Sequence, residues 1–336
     1  MESNNPQTEP QTPPSLQNTP APPPPPEEET WLTAGFTATG AMLFGLYLSN
    51  ALLKIITLGM YAPWAKVRSL KLLAHNVKFE GDTLDFHGTG WEMMKGRMVL
   101  MGVALPLFIG LGFLGAAHPE WQAFFTLGIY ILVGGLFPYL FLAAWRFRLS
   151  RTSWRQIHFG LKPEFNRFAR RFYKDLVLTV ATLGFYGPVL SIRMHRYLWN
   201  RIYFGDHQFT TDIPSWGYWK RAMGYIGLTY ITGGLFYPFM EVNLIKYKLE
   251  YLRFQGHRIR FTGEGDKLLV ISITNFLLVL STLGLGYAWA KARWYRFFVA
   301  NFQLTGACDI TQVRQAEVTV QKAFGEEAAD YFDIGL

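Results

Sequence analysis

The chain has 336 residues, half of them hydrophobic and 17% aromatic, but only 17% charged, well short of the roughly 25% charged residues of a soluble domain. That shortage favours a membrane protein over a soluble one. The net charge of +8 is unevenly spread, since residues 1–35 hold five glutamates and no Lys or Arg. The basic residues that follow flank apolar runs, which suits anionic headgroups and topology signals rather than nucleic acid.

In chain order, residues 1–32 form a proline-rich tail expected to be disordered. Its run Pro22 to Pro26 offers a polyproline ligand to a protein partner, although a solvated leader is the commoner role of such a tail. No basic stretch followed by an apolar one opens the chain, so a cleaved signal peptide is not indicated. Residues 33–306 form the expected membrane domain, with apolar segments at 40–59, 97–117, 121–145, 172–192, 222–243 and 267–287, each near the roughly 20 residues that cross a bilayer core. The second and third are joined only by Ala116-Ala117-His118-Pro119-Glu120 and so form a helical hairpin. Residues 307–336 are a polar tail containing Cys308, the single cysteine, which excludes an intramolecular disulfide.

Internal similarity runs through the membrane domain. Thr57-Leu58-Gly59, Thr182-Leu183-Gly184 and Thr282-Leu283-Gly284 each close an apolar run, and the pairs Arg68/Lys71, Arg193/Arg196 and Arg293/Arg296 follow in register. Residues 79–90 match residues 254–265 at five of twelve positions, with Leu84 and Phe86, or Ile259 and Phe261, alternating with charged or histidine neighbours. That period of two predicts short strand pairs at the membrane surface. Gly134-Gly135-Leu136-Phe137 recurs as Gly233-Gly234-Leu235-Phe236 at a spacing 26 residues shorter than that of the first motif, as though one helix's length were deleted.

The runs Thr57-Leu58-Gly59-Met60-Tyr61-Ala62-Pro63-Trp64-Ala65-Lys66-Val67-Arg68, Phe86-His87-Gly88-Thr89-Gly90-Trp91-Glu92 and Tyr287-Ala288-Trp289-Ala290-Lys291-Ala292-Arg293 resemble the YjgN-like family of bacterial inner-membrane proteins. The resemblance covers roughly residues 33–306. It implies a multi-pass inner-membrane protein and supplies no activity and no catalytic residues. The middle copy departs from the pattern, with Val189 where the others have Trp64 and Trp289.

Catalytic signatures are lacking in the sequence. The seven histidines show no ligand spacing, no Gly-x-Ser-x-Gly elbow or phosphate loop occurs, and Cys308 lies in a polar tail. No metal, cofactor or enzymatic activity is therefore expected. Asn50 and Asn275 sit inside apolar runs, nine residues before the motif glycine; they are candidates for a polar site lining a cavity, or for hydrogen bonds between helices, the commoner use. Arg68, Lys71, Arg193, Arg196, Arg293 and Arg296, with Trp64, Trp289, Tyr61 and Tyr287 beside them, are candidate headgroup contacts at helix ends. Asp175, the counterpart of the two asparagines, follows Arg170, Arg171 and Lys174 and is expected at the interface.

These features predict an all-α multi-pass membrane protein with about six membrane segments, internal repeats and surface β-hairpins. Glycine breaks and intramembrane polar residues point to a transporter- or channel-like role; the alternative is a non-catalytic module binding lipid headgroups or a protein partner. Charge counting over six spans puts both termini outside, whereas re-entrant segments keep the basic helices and Cys308 on the cytoplasmic side. The second arrangement is preferred, because three related basic helices should face one surface.

Overall fold

The computed structural model describes residues 31–305. Of the two expected tails, residues 1–30 and everything from 306 onward, Cys308 included, lie outside the described residues. Within them the order strand, helix, helix, strand recurs five times. The first unit is β1 (Trp31–Phe36), α1 (Gly40–Ile56), α2 (Ala62–His75) and β2 (Val77–Phe79); the second is β3 (Asp82–Phe86), α3 (Gly90–Ala117), α4 (Gln122–Ser150) and β4 (Thr152–Trp154). The third comprises β5 (Ile157–Leu161), α5 (Phe165–Ala181), α6 (Gly187–Trp199) and β6 (Ile202–Phe204). The fourth has β7 (His207–Thr211), α7 (Ser215–Ile231), α8 (Tyr237–Glu250) and β8 (Leu252–Phe254), and the fifth β9 (His257–Phe261), α9 (Gly265–Ser281), α10 (Tyr287–Ala300) and β10 (Phe302–Thr305).

The chain reverses between the paired helices by one local device. Thr57, Thr182, Thr232 and Thr282 each donate their hydroxyl to a carbonyl four residues back and accept an N–H from four residues ahead. Gly59, Gly184, Gly234 and Gly284 then donate to the carbonyl five residues back, the bond of a helix-terminating Schellman turn. The residue between is left-handed in each case: Leu58, Leu183 and Leu283 at φ of 50°, 51° and 51°, and Gly233 at 59°. Pro63, Pro188 and Pro238 open the second helix, where a missing N–H costs nothing.

In the second unit this turn is absent and both arms run on. The first helices of the other four units have 17 residues and α3 has 28; the second helices have 13 or 14 and α4 has 29. Pro138, which aligns with the helix-opening prolines, is therefore interior to α4 and leaves the Gly134 carbonyl without its helical donor. The Tyr173 hydroxyl of α5 donates to Gly134 and Gly135 instead. The length difference expected to reflect one deleted helix is thus shared between both arms of a single hairpin.

All the strands join one closed antiparallel barrel in which β1 pairs with both β2 and β10. Two-residue turns at Glu80-Gly81, Arg155-Gln156, Gly205-Asp206 and Gln255-Gly256 link one unit to the next, each with at least one residue at positive φ, as tight hairpins require. These turns occupy one end of the barrel, and the helical hairpins leave from the other. Inside, Trp154, Phe204 and Phe254 are buried, with Phe79, Leu84, Phe159, Phe209, Ile259 and Leu304 packed around them. The lumen is a packed apolar core, each large side chain worth about 2–3 kcal/mol of burial.

The helices form a second closed ring, since each packs on its neighbours in the chain and α10 packs on α1. Three of the five joints between units are aromatic on glycine. A Cβ at Gly90 would lie 2.3 Å from Trp64, one at Gly40 2.2 Å from Trp289, and one at Gly265 2.5 Å from Phe239. Trp64 and Trp289 therefore pack across unit joints, a role that their assignment as headgroup anchors missed.

The expected all-α fold with six membrane segments is overturned. Among the described residues only Gly90–Ala117 and the helical stretch Pro119–Ser150 are long and apolar enough to cross a membrane, and the expected surface hairpins merge into the barrel. Hydropathy counts apolar residues without registering a reversal. The run 172–192 is the far half of α5, the Thr182 turn and the start of α6; 222–243 straddles the Thr232 turn; and 40–59 and 267–287 are one 17-residue helix plus its turn.

Candidate functional site

Below the hairpin turns, one polar position on three of the five first helices faces the second helix. Asn50, Asp175 and Asn275 each lie seven residues before the turn threonine. Asn50, 3% exposed, donates to the Ala65 carbonyl at 3.2 Å, while Arg68 reaches its Oδ1 at 3.5 Å and the Tyr61 hydroxyl at 3.2 Å. Asn275 donates to the Ala290 carbonyl at 3.1 Å, and its buried Oδ1 has no partner among the described residues. Asp175 is 4% exposed, bound by Arg193 Nη1 at 2.6 Å and by the Tyr186 hydroxyl at 3.4 Å. Each polar side chain thus ties the two arms of its own hairpin together, and an Arg accompanies it in the first and third units.

The third unit builds a basic site between its two helices. A cavity of about 450 Å³ between α5 and α6 is lined by Arg171, Lys174, Arg193, Arg196 and Arg201 against a single carboxylate, Asp175. Arg196 donates to the Ile213 carbonyl at 3.2 Å. Arg201 pairs with Glu164 at 2.7 Å and lies 3.9 Å from the centre of the Tyr197 ring. Hydrogen bonds from Arg201 and then Arg167 hold the Glu164 carboxyl below its ordinary range. Arg171 and Lys174 have no ion pair among the described residues. A wider basin of about 870 Å³ between the fourth unit and the β9 and β1 strands presents Arg221 and Lys246, 50 residues on from Arg171 and Arg196, with Arg253, Arg258 and Arg260.

Of the residues singled out by sequence, Arg193 and Arg196 meet in this cavity; Arg68 lies beside Asn50; and Lys71, Arg293 and Arg296 are exposed on α2 and α10. Arg171, Lys174 and Arg201 were missed. Arg171 and Lys174 sit on α5, where α6 alone carries the recurring basic pair, and their signal was a cluster of four cations within 167–174. Nearby, burial and then the charge of Lys248 push the His195 imidazole below its usual value, while burial lowers Lys248. No group of three or more His, Cys, Asp or Glu side chains is placed to hold a metal ion among the described residues.

The model of the family described as "Bacterial protein of unknown function (DUF898)" matches residues 32–237 and 223–331. The chain belongs to this family. The DUF898 matches cover all five units and the basic cavity. The inner membrane protein YjgN of Salmonella typhimurium (strain LT2) is 27% identical over 135 residues, 40% of this chain and 32% of that protein, so the match spans about a third of that relative's length. The YjgN-like resemblance read from the sequence agrees with both findings. No solved structure matches.

Proposed function

We propose that this chain is a multi-pass inner-membrane protein, non-catalytic and non-conducting, whose helical hairpins enter the bilayer and whose basic cavities take anionic headgroups. The observation that carries the reading is the placement of the five-cation cavity about two to four helical turns below an apolar tip. Leu58, Leu183 and Leu283 stand at those tips with 94%, 92% and 94% of their surface exposed. A leucine held at positive φ costs about 1–2 kcal/mol, which the hydrogen bonds of the turn help to offset. Hydrocarbon adds about 1.5–3 kcal/mol for removing the side chain from water.

The long hairpin supports the same placement. The apolar stretches of α3 and α4 are only 6% and 11% buried, which sets them apart from the core helices of a soluble fold. None of the 32 lysines and arginines falls between Arg97 and Arg146. Under the positive-inside rule α3 and α4 cross the membrane, the turn at 118–121 faces the periplasm, and the barrel is cytoplasmic. A transporter- or channel-like role draws no support from the barrel, whose axis is filled by Trp154, Phe204 and Phe254.

The test uses purified full-length protein in a mild detergent. Short-chain phosphatidylglycerol should raise the unfolding temperature more than phosphatidylcholine of equal chain length, and Arg171→Gln with Lys174→Gln should reduce the difference. Equal shifts with both lipids, or an unchanged difference in the double variant, would show the cavity not to be a headgroup site.

A further inference from the structure

The hairpins differ in reach, and the difference places unequal amounts of protein in the two leaflets. The helices α3, α5, α7 and α9 all leave the same end of the barrel, so their tips can be compared by length. At 1.5 Å per residue a 17-residue helix reaches about 25 Å and α3 about 42 Å. Arg97, the last cation before the long apolar stretch, lies about 12 Å along α3. If the hydrocarbon begins there, the short tips end about 13 Å into a core roughly 30 Å thick, just short of its midplane.

The uncharged lengths agree with that depth. Residues 176–192, 222–240 and 268–290 carry no Asp, Glu, Lys or Arg and are centred on the turns of the third, fourth and fifth units. Their ends are exposed and apolar, with Leu183 and Phe185, Tyr230 and Ile231, and Leu283 and Leu285 outermost. In the first unit the uncharged run across the turn is only 55–65, because Lys54 sits in the last turn of α1, although residues 31–53 before it are uncharged too. That hairpin has the same 17-residue reach, and the long Lys54 side chain can extend its ammonium towards the headgroups.

We propose that the protein is a single-leaflet wedge, displacing lipid from the leaflet on the barrel side and thereby favouring membrane that is convex towards the barrel. The near leaflet holds at least the six helices of the third, fourth and fifth hairpins in addition to α3 and α4, and the far leaflet holds only α3 and α4. With a helix diameter of 10–12 Å, six extra helices displace about 600 Å² of one leaflet. The partner of the exposed tips is therefore the curved lipid surface itself, and helices inserted to such depth are curvature-sensitive. This inference rests on the membrane reading above.

Full-length labelled protein is reconstituted with the barrel facing outward into giant vesicles of phosphatidylethanolamine and phosphatidylglycerol, and narrow tubes are pulled from them. The expected result is several-fold enrichment in the tube over the flat membrane, rising as the tube narrows, with depletion when the barrel faces inward. The comparison variant is Leu58→Asp, Leu183→Asp and Leu283→Asp together. These side chains pack on nothing, and Asp accepts positive φ more readily than Leu, so the fold is kept while the tips are lifted; enrichment should vanish. Equal density in tube and flat membrane, enrichment independent of orientation, or undiminished enrichment of the triple variant would each overturn the wedge while leaving the membrane reading in place. Release of the wild-type protein by alkaline carbonate would overturn both.

Discussion

Replacing Arg193 by alanine strands the Asp175 carboxylate. The two groups meet at 2.6 Å, with the aspartate side chain 6% and the arginine side chain 43% exposed. Breaking a fully buried pair costs about 3–5 kcal/mol and losing an exposed one less than about 1. A buried anion with a half-solvated cation falls between, so Arg193→Ala should destabilise by about 2 kcal/mol. Asp175→Asn keeps an acceptor for Arg193, the arrangement that Arg68 and Asn50 already use at 3.5 Å, and should cost about 1 kcal/mol. The double variant removes the stranded charge along with its partner, so it should be no less stable than Arg193→Ala alone, a coupling of about 1 kcal/mol or more. Unfolding in mild detergent, followed by tryptophan fluorescence, reads all four proteins. Arg193→Ala within about 0.5 kcal/mol of wild type, or a double variant at the sum of the singles, would refute the reasoning.

Phe204→Ala opens a void in the barrel core between Trp154 and Phe254 and should destabilise by about 3–5 kcal/mol; ion flux through reconstituted vesicles should stay at the wild-type background, and a new conductance would show the lumen to be a gated path. Acidification should weaken the fold through His195, whose folded pKa lies below its unfolded one. The unfolded state then binds the proton more readily, so stability present above about pH 6.5 is lost as the pH falls towards the folded value. His195→Gln should flatten the unfolding-temperature profile between pH 7 and pH 5, and an unchanged slope would assign it to other groups.

The breaks at the hairpin turns were legible in the sequence, though not as reversals, because Thr-Leu-Gly is a local device: the threonine and glycine make their bonds within five residues. The 50-residue unit was not legible, for two reasons. Thr232-Gly233-Gly234 replaces the leucine in the fourth unit, and the second unit dispenses with the turn, leaving only Pro138 in line with Pro188 and Pro238. The strand pairs were visible from the alternation around Phe86 and Phe261, but closure of the barrel depends on Trp31 meeting Thr305 across almost the whole chain, and no local pattern encodes that. Of the basic site, the recurring pair on the second helix was recognised. Its facing residues Arg171 and Lys174 were read as an interfacial cluster with Asp175 among them; the burial of that carboxylate against Arg193, on the next helix, was not legible.

The claim that two helices cross and the other hairpins return is tested most directly by cysteine labelling in a Cys308→Ser background, in cells with a permeabilised outer membrane and with lysed controls. Lys78→Cys and Asp206→Cys lie on the barrel, at an exposed strand position and a tight turn, and Glu120→Cys lies at the far tip of the long hairpin. A six-segment chain would put residues 78 and 206 on opposite sides of the membrane. Both lie on one barrel, and the proposed crossing of α3 and α4 alone keeps them on one side, so an impermeant thiol reagent should label Glu120→Cys in intact cells and the other two only after lysis. Labelling of Asp206→Cys in intact cells, with Lys78→Cys protected, would contradict the account.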